Sequence, residues 1–207
     1  MPATPPRRPS QPWHVTRNDH LACLSCPERD GGLHTVFRGR QEYVKAIERP
    51  TIRDVEIKAD VIFGRNVVVH RPSNLYGCEI GDDVMIGPFV EIQCGARVGR
   101  GSRIQSHCFI CEMVSIGEDC FVSHGVMFVN DTFASGGPAR GDRTLWKSTV
   151  IGNGVSIGTG ATILPVTVCA NVVIGAGAVV TRNIDVPGIY AGNPARLLRR
   201  LVSVPKG

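Results

Sequence analysis

Residues 80–128 read IGDDVM IGPFVE IQCGAR VGRGSR IQSHCF ICEMVS IGEDCF VSHGVM F, and the reading of this stretch decides the fold. Stepping by six from Ile80 lands on Ile86, Ile92, Val98, Ile104, Ile110, Ile116, Val122 and Phe128, each a large apolar residue. The position four further along holds Val84, Val90, Ala96, Ser102, Cys108, Val114, Cys120, Val126 and Thr132, all small or β-branched. An α-helix would need a period of about 3.6, and a flat sheet would alternate with hairpin signals. Two coupled patterns at period six describe a solenoid instead. Each hexad is a short strand plus a turn. Three hexads close a triangular coil of about 18 residues, and coils stack at roughly 4.8 Å. Both marked positions then point inward, which makes Cys108 and Cys120 core fillers.

The repeat extends both ways. Ile57, Phe63, Val69 and Leu75 lead into Ile80 through a five-residue step. Ile151, Ile157 and Ile163 resume the pattern downstream; Val168 follows after a second five-residue step, then Ile174 and Val180. The lapse between them, a polar, Gly-rich insertion over residues 130–148, is expected to protrude from a corner on a functional face. The stretch from Pro194 to Val202, PARLLRRLV, is expected to form a short amphipathic helix that caps the last coil. The organisation that follows is an N-terminal extension over 1–50, an all-β parallel β-helix over 51–193, and a capping helix and tail over 194–207. The Pro/Arg-rich start of the extension is expected to be disordered. His20, Cys23, Cys26 and His34 have the ligand types of a zinc site, but their spacing fits plain surface thiols better.

Composition narrows the function. The chain has 207 residues, 43 % hydrophobic and 20 % charged, ordinary values for a globular protein. Aromatics are only 6 %, so β-branched residues must fill the core. The net charge of +5 is scattered, with no basic tract to suggest nucleic acid. No apolar run approaches the roughly 18 residues that span a membrane, and the start lacks an apolar secretory segment. A soluble, cytoplasmic protein is expected. Eight cysteines without pairing logic fit free thiols in a reducing compartment.

The solenoid turns spacing into proximity, because residues 18 apart stack. Glu112 follows Ile110 by two places and Asn130 follows Phe128 by two, so they share a corner with Cα atoms about 5 Å apart. Asp131 follows at the base of the loop. Carboxylates at such a point can anchor an ammonium group or accept its proton. His107 and His124 are the next candidates, as bases for an amine or hydroxyl. His124 belongs to a different corner and suits a site shared with a neighbouring subunit. The pairs Ser106-His107 and Ser123-His124 lack a third orienting group. An interfacial zinc site would need histidines on adjacent coils, and His70, His107 and His124 are poorly spaced for that.

Several stretches carry a resemblance. They are Asn74-Leu75-Tyr76-Gly77-Cys78, Ile86-Gly87-Pro88-Phe89-Val90-Glu91-Ile92-Gln93, Ser106-His107-Cys108-Phe109-Ile110-Cys111-Glu112 and His124-Gly125-Val126-Met127-Phe128-Val129-Asn130-Asp131. Gly175-Ala176-Gly177-Ala178-Val179-Val180-Thr181 and Gly192-Asn193-Pro194-Ala195-Arg196 complete the set. Over residues 51–202 the chain resembles the left-handed β-helix (hexapeptide-repeat) acyltransferases, most of all bacterial nucleotide-sugar N-acetyltransferases acting on 3-amino sugars. The resemblance implies a homotrimer with sites between subunits, acetyl-CoA as co-substrate, an amino-sugar acceptor and no active-site metal. It places Glu112, Asn130 and Asp131 in the acceptor pocket. Cys94, His107 and Phe133 are further candidate substrate contacts, and His124 is a candidate catalytic residue. Thr159, Ala176, Thr181, Arg182, Arg196 and Arg199 fall on the coenzyme A side, where arginines suit phosphates. Two departures stand out. A Gly usual between Pro165 and Val166 is missing, and Thr132-Phe133-Ala134-Ser135 replaces a basic or aromatic residue followed by Pro-Arg. The competing readings are O-acetyl transfer to a sugar or small alcohol, and a non-catalytic solenoid that binds or scaffolds.

Overall fold

The structure is a computed structural model that describes residues 54–201. The proposed Cys/His element at 20–34 and the Pro-rich start lie outside the described residues. Strands of two or three residues recur at every hexad and, with two longer strands at the C-terminal end, sort into three sheets of six, eight and six strands, all parallel but for the last strand of the eight. Face 1 runs from Ile62–Phe63 to Thr167–Val168, face 2 from Val68–Val69 to Val173–Ile174 and then on to Arg196–Arg200, and face 3 from Asn74–Leu75 to Val179–Val180. Each strand pairs with the strand one coil away, so the product is a triangular prism.

The reason for the prism is visible in its axis. Ile86, Ile92, Ile104 and Ile110 are fully buried, and Val84, Val90, Ala96, Cys108, Cys120 and Val126 fill the gaps between them. A buried aliphatic side chain is worth about 1.5–3 kcal/mol, and every coil contributes several. Ser102 is the polar exception. Its hydroxyl donates to the Gly117 carbonyl at 2.8 Å and accepts from the Cys120 N–H at 3.0 Å, so nothing polar is orphaned there. Burial pushes the Cys78, Cys108 and Cys111 thiols up to about 11, which keeps them neutral, inert core residues. Phe63 sits at the inward position of the first described face 1 strand and is 41 % exposed.

The corners differ. Corner A joins faces 1 and 2, corner B joins faces 2 and 3, and corner C joins faces 3 and 1. The five-residue steps from Leu75 to Ile80 and from Ile163 to Val168 both fall on corner C, and they shorten the local register to Leu75↔Ile92 and Ile163↔Val180. The long insertion leaves the prism at corner C as well. Thr132 belongs to that excursion rather than to the core. The repeat would stack it on Val114, but Thr149 takes that place.

The C-terminal segment departs from expectation. Gly188–Ala191 pairs in parallel with face 2, the chain reverses near Gly192, and Arg196–Arg200 returns as an antiparallel strand, not a helix. A helix of that length is marginal without a packed face, and all five of its residues are exposed. The Gly188–Ala191 strand instead supplies backbone partners along its free side.

Candidate functional site

Corner C carries a ladder of polar groups. Glu91↔Phe109 and Ile92↔Ile110 register Glu112 above Cys94 and below Asn130. The Tyr76 hydroxyl donates to Glu91 Oε1 at 3.4 Å, and Gln93 Nε2 donates to the same oxygen at 2.9 Å. Burial, and then the Glu91 charge, raise the Tyr76 pKa, so the phenol stays a donor. Gln93 Oε1 accepts the Glu112 N–H at 3.3 Å, and Asn130 Nδ2 donates to the Glu112 carbonyl at 3.3 Å. The Glu112 backbone is thus gripped from the coil on either side. Met113, next in the chain, holds a left-handed φ of 68°. Cys94 is exposed on the coil below.

Asn130 and Asp131 open the insertion and organise it. The Asn130 carbonyl accepts the Lys147 N–H at 3.0 Å, closing the neck of the loop. Asp131 Oδ1 accepts the Phe133 N–H at 2.9 Å, and Oδ2 accepts the Ala139 N–H at 2.7 Å. Both oxygens of this carboxylate are engaged by the backbone, so Asp131 pins the loop instead of presenting a free base. Further on, Asp142 caps the short turn Arg143–Leu145 through the Thr144 hydroxyl and N–H, which hold its carboxyl below the usual range. That turn brings Arg143 Nη2 back onto Glu112 Oε2. No repeat rule foretold Arg143. Phe133, at the loop tip, is 58 % exposed.

His124 and His107 lie on corner B, the opposite edge of face 3. His124 Nδ1 hydrogen-bonds the Ser106 hydroxyl at 2.9 Å. The orienting partner that neither Ser-His dipeptide supplied therefore comes from one coil below, a spacing of 18 that the repeat already implied. Nε2 is left to face outward. Above it, the Ser123 and Thr159 hydroxyls hydrogen-bond at 2.8 Å, and Gly177 N–H donates to the Thr159 carbonyl at 2.8 Å, which puts Ala176 over Thr159. His107, in the left-handed region, stacks on the Phe89 ring at 4.9 Å. One hexad separates corners B and C, roughly 15–20 Å at about 3.3 Å per residue. That is too far for direct proton transfer within one copy. The coenzyme-side residues also divide. Thr159 and Ala176 line corner B, whereas Thr181, Arg182 and Arg196 share a cavity of about 170 Å³ under the C-terminal hairpin. Arg199 lies beyond it, paired with Ile189.

Among the described residues no group of three or more His, Cys, Asp or Glu is placed to hold a metal ion. No described helix is long and apolar enough to cross a membrane.

The stacked hexads of the prism match two families of hexapeptide-repeat transferases. Residues 77–112 match the bacterial transferase hexapeptide (six repeats), and residues 148–182 match the hexapeptide repeat of succinyl-transferase. Those two stretches carry hexapeptide repeats, wound here as a left-handed parallel β-helix. Among curated proteins it is 30 % identical over 147 residues to the bifunctional protein GlmU of Zymomonas mobilis, covering 64 % of this chain and 32 % of that one. GlmU of Nitratidesulfovibrio vulgaris is 28 % identical, over 68 % of this chain and 33 % of its own. The chain thus spans about a third of these relatives. AntD, an N-acyltransferase from Bacillus cereus in complex with dTDP and coenzyme A, shares the fold with a TM-score of 0.60 and 21 % identity, covering 67 % of this chain and 83 % of that one. Perosamine N-acetyltransferase from Caulobacter crescentus, in complex with coenzyme A and GDP-perosamine, aligns with a TM-score of 0.50 and 19 % identity over 66 % and 56 %.

Proposed function

We propose that the chain is an acyl-CoA-dependent N-acyltransferase that acetylates the amino group of a nucleotide-linked sugar, working as a cytoplasmic homotrimer with its sites between protomers. The observation that carries this reading is the division of the polar chemistry. An oriented imidazole, His124, stands on one edge of face 3, and Glu112, Asn130 and the ordered loop stand on the other. Neither half is complete in one copy, and a neighbouring prism laid edge to edge joins them. The names and bound molecules of the structural neighbours support the same chemistry.

The unprotonated amine attacks the thioester carbonyl, the C–N bond forms and the C–S bond breaks, and the coenzyme thiolate leaves. Asn130 Oδ1, accepting nothing among the described residues, orients the amine N–H. His124 Nε2 of an adjacent copy takes the proton, its other nitrogen being fixed by Ser106. Arg182 and Arg196 face coenzyme phosphates. Most of the rate gain comes from holding two substrates in contact. O-acyl transfer is the second reading, favoured by the Ser106–His124 hydrogen bond, since a hydroxyl acceptor depends on its base more strictly.

The test is thiol release from acetyl-CoA with 3-amino nucleotide sugars and with matching hydroxy sugars. Turnover of amines alone supports the proposal. Turnover of hydroxy sugars alone, abolished by His124→Ala, supports O-transfer. No thiol release with any acceptor rejects both and leaves a binding solenoid.

A further inference from the structure

The insertion that displaces Thr132 from the core buries a single hydrophobic residue, Ala139. Its order therefore comes from polar pins, not from packing. Asp131 holds two backbone N–H groups, Asp142 holds Thr144, and the Asn130 carbonyl holds Lys147. A segment that is held this firmly and adds so little core displays something on a rigid support.

What it displays is positive. Both loop carboxylates, Asp131 and Asp142, are engaged by the loop itself. Arg143 is 62 % exposed, and Glu112 is its one carboxylate partner among the described residues. Glu112 is only 18 % exposed, so its charge is already answered from inside the protein. An incoming ammonium would have to displace a guanidinium to reach it. The guanidinium itself has five N–H donors in a fixed plane, and Glu112 Oε2 contacts one of its nitrogens, Nη2. The Trp146 ring centre lies 6.0 Å from its central carbon and further fixes its attitude.

We propose that Arg143 is the specificity-determining residue of the acceptor site, a guanidinium aimed by Glu112 at the diphosphate of a nucleotide-linked acceptor. This rests on the N-acyltransferase reading for the site, but its chemistry is separate: Arg143 recognises the anion, and Asn130 receives the amine. The bidentate fit of guanidinium to phosphate supplies both attraction and direction.

The experiment is calorimetric binding of dTDP, UDP, GDP, inorganic pyrophosphate and thymidine to the full chain, to Arg143→Gln and to Arg143→Lys. The wild-type chain binds at least one nucleoside diphosphate, and Arg143→Gln weakens it about tenfold or more. Arg143→Lys recovers part of the loss, while thymidine and coenzyme A binding are unchanged. Equal binding of diphosphates by wild type and Arg143→Gln overturns the proposal. So does equal weakening of thymidine and dTDP, which marks Arg143 as a mere loop tether, and so does a wild-type chain that binds no diphosphate. Acetyl-CoA turnover separates the two ideas. Selective loss of diphosphate binding in a chain that acylates no amine keeps the anion site and removes the N-acyltransferase reading.

Discussion

Corner A and corner C turn the same chain through the same angle with different residues. At corner A the left-handed positions hold Asn66, Asp83, Gly101, Asp119, Gly154 and Asn171, and each strand-to-strand connection has the same length. Gly, Asn and Asp take that conformation at small cost. Corner C uses Gly77 and Gly95 on its lower coils but puts Met113 and, in its loop, Phe133 and Arg140 into the left-handed region, shortens two connections and lengthens one by a whole loop. A bulky residue there costs roughly 1–2 kcal/mol. Corner A is built for regularity. Corner C departs from it where Glu112, Asn130 and Arg143 meet, as expected where strain is tolerated to aim side chains.

The contrast can be broken most sharply at corner A. A Cβ on Gly99 would lie 2.5 Å from the Gly117 carbonyl carbon, so Gly99→Val forces the coils apart. The expected loss is about 3 kcal/mol or more, read as a collapse of the thermal midpoint. At corner C a far larger change is tolerated. Excising residues 132–148 joins Asp131 to Thr149 and leaves Ile151 six places after Phe128, so the hexad runs on unbroken. Circular dichroism should show the β-helix retained and coenzyme A should still bind, whereas acceptor turnover should vanish. Asp131→Ala frees two backbone N–H groups and lets the loop drift. Turnover should fall about a hundredfold, the cost of misplacing a substrate contact by about 1 Å, with little change in thermal midpoint. The smallest effect belongs to Met113→Gly, which relieves the left-handed backbone. It should leave stability unchanged or raised by about 1 kcal/mol while loosening Glu112 and lowering turnover.

The regular part of the molecule was legible because its physics is one-dimensional. Six-spacing fixes which residues face inward, and 18-spacing fixes which residues stack, so Glu112 under Asn130 followed from counting. Ser106 under His124 follows from the same count of 18, although the two are not neighbours in sequence. Thr132 was misplaced because the hexad was carried one step past the point where the loop departs. Arg143 was invisible: nothing in the repeat dictates the path of a loop, and its return to Glu112 depends on Asp131, Asp142 and Lys147 together. Sequence places the Asp131 acid at the base of the loop but does not show where its oxygens turn, and both meet backbone N–H groups. The C-terminal strand was missed because RLLRR fits a helical stripe as readily as an extended edge, and pairing with Gly188–Ala191 settles it.

The returning strand Arg196–Arg200 has one more role. A column of parallel rungs has an open rim, and any rim with free amides and carbonyls is a template on which a second column could grow. Here the last rung on face 2 runs backwards, so another molecule arriving in parallel meets the wrong polarity. On face 2, that end of the prism is thereby a poor template for a further parallel rung.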